Sequence, residues 1–191
     1  MRAPTILGSF AIVASFACSS SGNGATSPSD AGVDPTAHGG AKFFLTVVPG
    51  SDTSNLCPDP TAQVTISKKD SDGTDKLVVN GSDHALVRCR YDDHRFDLAV
   101  SNDTGGIEAT GSFVGNESKD AHLILRTPGA TYQSTQPCDI VFNKGGDAMT
   151  GHFTCPTLVH ESLSPRQCAV MQRDPGGTPL SFFKFTGCTG F

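Results

Sequence analysis

The sequence predicts an all-β domain, an antiparallel sandwich or barrel of short strands stapled by disulfides. Three features lead there. Eleven short segments, β-branched or rich in phenylalanine, are dominated by a period-two pattern, and no window holds a 3.6-residue period over eleven positions. Turn clusters (DSDGTD, NGSD, YDDH, SNDTGG, KGGD, DPGG) separate these segments. The chain also carries seven cysteines, too many for a reducing compartment and spaced too far apart for a zinc site.

In chain order the predicted strands are 42–48, 61–67, 76–80, 84–90, 94–101, 106–114, 121–126, 138–143, 148–155, 167–172 and 180–188. The segment 116–121 is compatible with a single helical turn. No repeat of fixed period occurs. One hairpin can be placed in register: a turn at Asp92-Asp93 sets Cys89 against Phe96 and Val87 against Leu98 on one face, with Arg88 opposite Asp97 on the other. A slip of one residue would mix apolar and polar faces.

Before the domain, residues 1–17 read as a signal peptide. Arg2 supplies the positive start, and the apolar run 6–17 (ILGSFAIVASFA) is shorter than the roughly twenty residues a membrane-spanning helix needs. Residues 18–40 follow as a tether. The Ser/Gly/Pro-rich stretch 19–40 holds Val33 as its only bulky apolar residue and is too polar to build a core, so a disordered chain with a mean reach of roughly 25 Å is expected. Residues 41–191 remain as a single β domain.

The junction Ser15-Phe16-Ala17-Cys18 resembles the lipobox of bacterial lipoproteins. It departs from that pattern at Ser15, where leucine is usual, and at the bulky Phe16. The resemblance implies cleavage before Cys18, a diacylglyceryl thioether on its sulfur and acylation of the new amino terminus, so the lipid bilayer is the first expected partner. Ser19 in place of aspartate implies sorting to the outer membrane. An ordinary signal peptidase also accepts Ser-x-Ala, which leaves soluble export as the alternative. Setting Cys18 aside leaves Cys57, Cys89, Cys138, Cys155, Cys168 and Cys188, an even set that can pair as three disulfides. Of the fifteen connectivities open to six cysteines, the preferred one is Cys138–Cys155, Cys168–Cys188 and Cys57–Cys89. The first is allowed by a four-residue loop from Gly145 to Ala148, and the second by a final hairpin around Gly176-Gly177.

The C-terminal region is similar to small hypothetical lipoproteins of myxobacteria in Pro137-Cys138, Phe153-Thr154-Cys155-Pro156, Cys168-Ala169 and Phe183-x-Phe185-x-x-Cys188. The segment 79–89 and the last cysteine bear a fainter likeness to a small antigen lipoprotein of mycobacteria. These resemblances imply a place and an architecture, and no chemistry.

Several function classes are poorly supported. With 13 basic residues left after Arg2 against 19 acidic ones, the mature chain stands at −6, and no basic run exceeds Lys68-Lys69, so nucleic acid is not an expected partner. Tryptophan is absent and Tyr91 and Tyr132 are the only tyrosines, which weakens a sugar-stacking surface without excluding it. His38, His84, His94, His122, His152 and His160 follow no ligand spacing, so solvent-facing strand positions are expected and no metal. The acidic run 70–75 has a calcium-like look, but Gly73 comes too early for a calcium loop, and a hairpin on Asp72-Gly73 is the simpler reading. G-x-S-x-G and phosphate-binding glycine loops are absent, and neither a catalytic residue nor a cofactor is expected. The expected function is an envelope lipoprotein whose domain binds, shields or scaffolds, with an envelope protein or glycan as partner. An exported hydrolase with catalytic residues scattered on loops, or an inhibitor of an envelope enzyme, are the alternatives.

Overall fold

A computed structural model describes residues 36–48, 50, 57–58, 63–163, 166–170 and 181–191. The expected signal peptide, Cys18, most of the tether and the Gly176-Gly177 turn lie outside them.

Alternation produces fourteen strands among the described residues: β1 His38–Val47, β2 Gln63–Ile66, β3 Lys68–Lys69, β4 Asp75–Lys76, β5 Val78–Val79, β6 Leu86–Tyr91, β7 Arg95–Asn102, β8 Gly105–Ser112, β9 Glu117–Thr127, β10 Ala130–Ser134, β11 Cys138–Gly145, β12 Ala148–His160, β13 Gln167–Val170 and β14 Phe182–Thr186. The fold is all-β, as the period-two pattern requires, and every pairing between these strands is antiparallel.

Two sheets share three long strands. One runs β1-β14-β12-β11-β9, with β2 and β5 on the outer edge of β1. The other runs β6-β7-β8-β9-β10-β12-β13-β1. Strands β1, β9 and β12 therefore bend from one sheet into the other, which forms the corners of a sandwich. The bends in β9 and β12 coincide with irregular register. In β12 the buried side switches from odd residues (Met149, Gly151, Phe153, Cys155) to even ones (Leu158, His160) across Pro156, where the pairing with β13 slips. Proline has no N–H for the ladder and is tolerated at such a bulge. In β9 the slip between its pairings Ala121–Cys138 and Ser118–Ile140 has the same effect, turning both Ser118 and Ala121 inward.

The interior between the sheets is built from phenylalanine and branched aliphatics. Phe43, Phe96, Phe153, Phe183 and Phe185 are fully buried with Leu45, Leu98, Leu123, Leu125 and Ile140. Phe96, Phe113, Phe142 and Phe183 form a chain of ring contacts at centroid distances of 5.1, 4.6 and 5.8 Å. The free edge of β6 is covered by Thr189, whose carbonyl accepts the Tyr91 N–H at 2.9 Å and whose N–H donates to Cys89 at 3.0 Å. Covering an edge in this way removes a template for strand addition.

Several expectations are corrected. The domain boundary at 40/41 falls inside β1, which starts at His38, because Gly39 and Gly40 fit against Phe185 and Leu77 where larger residues would not. The helical turn at 116–121 is strand for all but its first residue, since β9 reaches back to Glu117 to pair with β11. Strand β10 lies outside the predicted segments, because only Tyr132 in it is large and apolar. The β6–β7 register is shifted by two residues, so that Cys89 faces Leu98, Val87 faces Val100 and Tyr91 faces Phe96. A two-residue shift keeps each side chain on its predicted face, so the apolar pattern could not detect it. The turn chemistry decides it. Asp92 opens the turn by accepting the N–H groups of His94 and Arg95, both at 2.7 Å, which moves the bend to Asp93-His94. Arg88 and Asp97 still meet, diagonally, at 2.9 Å.

Candidate functional site

The six cysteines 57, 89, 138, 155, 168 and 188 form three disulfides, Cys57–Cys168, Cys89–Cys188 and Cys138–Cys155, with Cα separations of 4.6, 4.7 and 4.5 Å. The third is the expected one. Gly145 pairs with Ala148 around a turn at Gly146-Asp147, and that register puts Cys138 opposite Cys155. The other two expected pairings are wrong, for a topological reason. β13 and β14 do not form a hairpin; β1 lies between them. Cys168 on β13 sits beside Val47 at the end of β1, within reach of Cys57, while Cys188 follows β14 to the edge of β6 and Cys89.

The histidines do not converge. Among the described residues no group of three or more His, Cys, Asp or Glu is placed to hold a metal ion. His84 and His94 are exposed turn residues, the former 3.3 Å from Asp103. His160 departs from expectation: it is buried at 7% exposure, edge-on to Tyr132, and its Nδ1 accepts the N–H groups of Ser162 and Leu163 at 3.0 Å each. It organises the turn after β12. His152 lies beside Phe182, and its buried Nδ1 has no hydrogen-bond partner among the described residues.

The acidic run is a hairpin, as read. β3 and β4 pair through Lys69 and Asp75, with Gly73 in the left-handed conformation at φ +83°. Its carboxylates are turned to local donors: Asp70 to Lys76, Asp75 to Lys69 and Ser67 (both 2.6 Å), and Asp72 to the Thr74 N–H at 2.9 Å. Elsewhere, Asp120 accepts from the hydroxyls of Ser112 at 2.5 Å and Ser118 at 2.9 Å. These serines face a carboxylate and no histidine, which is a strut between β8 and β9 and not a nucleophile with its base.

A groove of about 630 Å³ runs along the outer face of β1 and β14, walled by β2, Thr104 and the β3–β4 hairpin. Four lysines line it: Lys42, Lys69, Lys76 and Lys184. Register explains two of them. In the β1–β14 ladder Lys42 opposes Phe182 and Gly40 opposes Lys184, so Lys42 and Lys184 are diagonal neighbours on one face. Lys69 and Lys76 are paired with Asp75 and Asp70. Neither Lys42 nor Lys184 forms an ion pair with any described residue, and Lys42 acts on Asp75 only at a distance. Phe182 shows 38% of its surface beside them, and Gln63, Thr65, Ser67 and Thr104 add neutral hydrogen-bonding groups. No family model matches the chain, and no curated protein or solved structure is significantly similar to it.

The sequence did not reveal this groove, because its lysines come from separate segments and the longest basic run is Lys68-Lys69. A usable signal was present: Lys42 alternates with Phe43 and Lys184 with Phe183 and Phe185, so both lysines face outward once those three rings face in.

The carboxylates make the fold acid-sensitive. Side-chain hydrogen bonds from Ser112 hold Asp120 below the usual carboxylate range, and the His94 and Arg95 N–H groups do the same for Asp92. Asp70, Asp75 and Asp83 are lowered by Lys76, Lys69 and Lys68, and Asp72 by the Thr74 N–H. A group whose folded value is depressed contributes stability above its unfolded value, about 3.9 for aspartate, and loses it as pH falls through the folded value. Thermal unfolding followed by circular dichroism is therefore expected to give a midpoint that is level from about pH 7 to 5 and declines below about pH 4. Asp120→Asn should show a smaller acid decline. A midpoint that rises on acidification would contradict this account.

Proposed function

We propose that the chain is an exported lipoprotein, anchored in an envelope bilayer through acyl groups on Cys18, whose disulfide-stapled β domain is a non-enzymatic binding element. One observation carries the reading. The six cysteines of the domain pair with one another, which leaves Cys18 with no cysteine partner in the chain. Lipidation gives that residue a role, and it sits at the boundary of the apolar run 6–17. Two signals, a diacylglyceryl group and an amide-linked chain, would make the anchoring firm, at about 0.8 kcal/mol for each buried methylene. Ser19 directs the anchored form to the outer membrane.

The domain's chemistry supports binding over hydrolysis. Three surface depressions lined by described residues hold Asp75, His160 and Asp139, one in each, so none of the three sets two carboxylates, or a serine and a histidine, against each other. Five of the six bonded cysteines are buried, so the disulfides brace the core.

Mass spectrometry of the mature amino terminus tests the anchor. The expected product starts at Cys18 and carries the mass of its acyl groups, and the protein partitions into detergent. Cys18→Ser is expected to release a folded domain into the aqueous phase with an unchanged thermal midpoint. An unmodified Cys18 at the mature terminus, or release of the native chain without detergent, would refute lipidation and leave soluble export.

A further inference from the structure

We infer that the lysine-lined groove on β1 and β14 binds an acidic oligosaccharide, a glycan whose sugar units carry carboxylates. The inference rests on the reading of the domain as an envelope binding element and supplies its ligand class.

The first support is electrostatic. Lys42 and Lys184 are diagonal neighbours across the β1–β14 ladder, and neither has an acidic partner among the described residues. Like charges at diagonal positions repel, and an anion bound beside both would offset that repulsion. The chain as a whole is acidic, at −5, and most other described lysines have partners: Lys68 pairs with Asp83, Lys69 with Asp75, Lys76 with Asp70, and Lys119 with Glu117 and Asp139, while Lys144 lies over the Phe113 ring. Lys42 and Lys184 are thus the two groove lysines with no ion-pair partner among the described residues.

The second support is the floor. Phe182 stands beside both lysines, opposite Lys42 and two residues before Lys184 on β14, and is partly exposed, offering an apolar ring face next to two cations. A sugar presents the same pairing, a C–H face next to a carboxylate. Thr65, opposite Lys42 on β2, has its side chain available for a sugar hydroxyl.

The third support is shape. The site is concave, with the β3–β4 hairpin standing as its wall. A bilayer surface is broad and is met by projecting cations. A chain a few sugars long enters a groove of about 630 Å³, and a membrane does not.

Binding is tested on the full Cys18→Ser chain, which carries no acyl groups, so that the result is independent of lipidation and failure of the anchor reading shows only in the mature-terminus mass. Calorimetric titration with tetramers of galacturonate, mannuronate and hyaluronan is compared with cellotetraose, and flotation with vesicles containing phosphatidylglycerol forms a separate arm. At least one acidic tetramer is expected to bind, with an affinity that falls as salt rises, and cellotetraose is not. The Lys42→Gln/Lys184→Gln double variant is expected to weaken binding by about tenfold or more, as loss of charge-assisted hydrogen bonds requires, and Phe182→Ala by a few fold. Lys119→Gln, on β9 outside the groove, should leave affinity unchanged, with circular dichroism confirming the fold of each variant. Failure of all three acidic tetramers to bind, equal binding of cellotetraose, insensitivity to the double variant, or lysine-dependent vesicle binding without glycan binding would each overturn the inference.

Discussion

Replacing Cys89 and Cys188 together by alanine is expected to destabilise the domain by about 4–5 kcal/mol, lowering the thermal midpoint by roughly 10–15 °C. The bond closes a loop of 99 residues, and the entropy that a cross-link removes from the unfolded chain grows with loop length. Its loss also frees the segment around Thr189 that covers the edge of β6, so the two backbone hydrogen bonds there should fray. The hairpin bond Cys138–Cys155 spans only 17 residues, for which the same relation gives about 3 kcal/mol. Its cysteines are fully buried, so part of that variant's loss will come from packing. Urea unfolding of both double variants, with the slope checked for two-state behaviour, measures the difference. A loss below about 1 kcal/mol for Cys89→Ala/Cys188→Ala would show that the unfolded chain is already restricted between these points.

That pair also shows where sequence reasoning stopped. Period-two alternation located most of the strands because a half-buried strand must alternate, and it put Cys89, Val87 and Phe96 on the inner face. It could not assign neighbours. Alternation is unchanged by a two-residue slip, so the β6–β7 register depended on Asp92 capping the turn, a hydrogen-bonding preference and not a hydrophobic one. Nor does alternation say that β1 enters between β13 and β14, which is why two disulfides were misassigned while the one within a hairpin was found. Pro156 misled in the same way. Read as a strand end, it is a bulge within a strand of thirteen residues. The outward-facing lysines were legible but their meeting was not: Lys42 and Lys184 are separated along the chain and are brought together only by β1–β14 pairing.

The second large effect is expected from the phenylalanine that lies over a glycine in the centre of the core. Among the described strands three glycines lie directly under the ring of a phenylalanine paired with them: Gly111 under Phe96, Gly151 under Phe183, and Gly39 under Phe185. In each case a Cβ on the glycine would come within 2.5–2.9 Å of the ring. The ring fills the space that a side chain would take and shields the glycine backbone, so glycine, ordinarily weak in a strand, becomes the residue that fits. Phe183→Ala is expected to cost about 3–5 kcal/mol, because it opens a cavity beside Phe142, Phe153 and Phe185 that fully buried neighbours cannot close. Gly151→Ala should cost about 1–3 kcal/mol by overpacking, although alanine suits a strand better than glycine does. Its new methyl would meet Phe183 Cζ at 2.5 Å and the Val141 carbonyl at 2.9 Å. Gly145→Ala, with no atom within 4 Å of the added carbon, is the control and should stay within about 0.5 kcal/mol of the parent. A double-mutant cycle separates the two contacts. In the Phe183→Ala background Gly151→Ala should cost less than it does alone, because the ring is gone, and still more than zero, because the Val141 carbonyl remains. Strict additivity of the two losses would show that Phe183 and Gly151 do not share the space between β12 and β14.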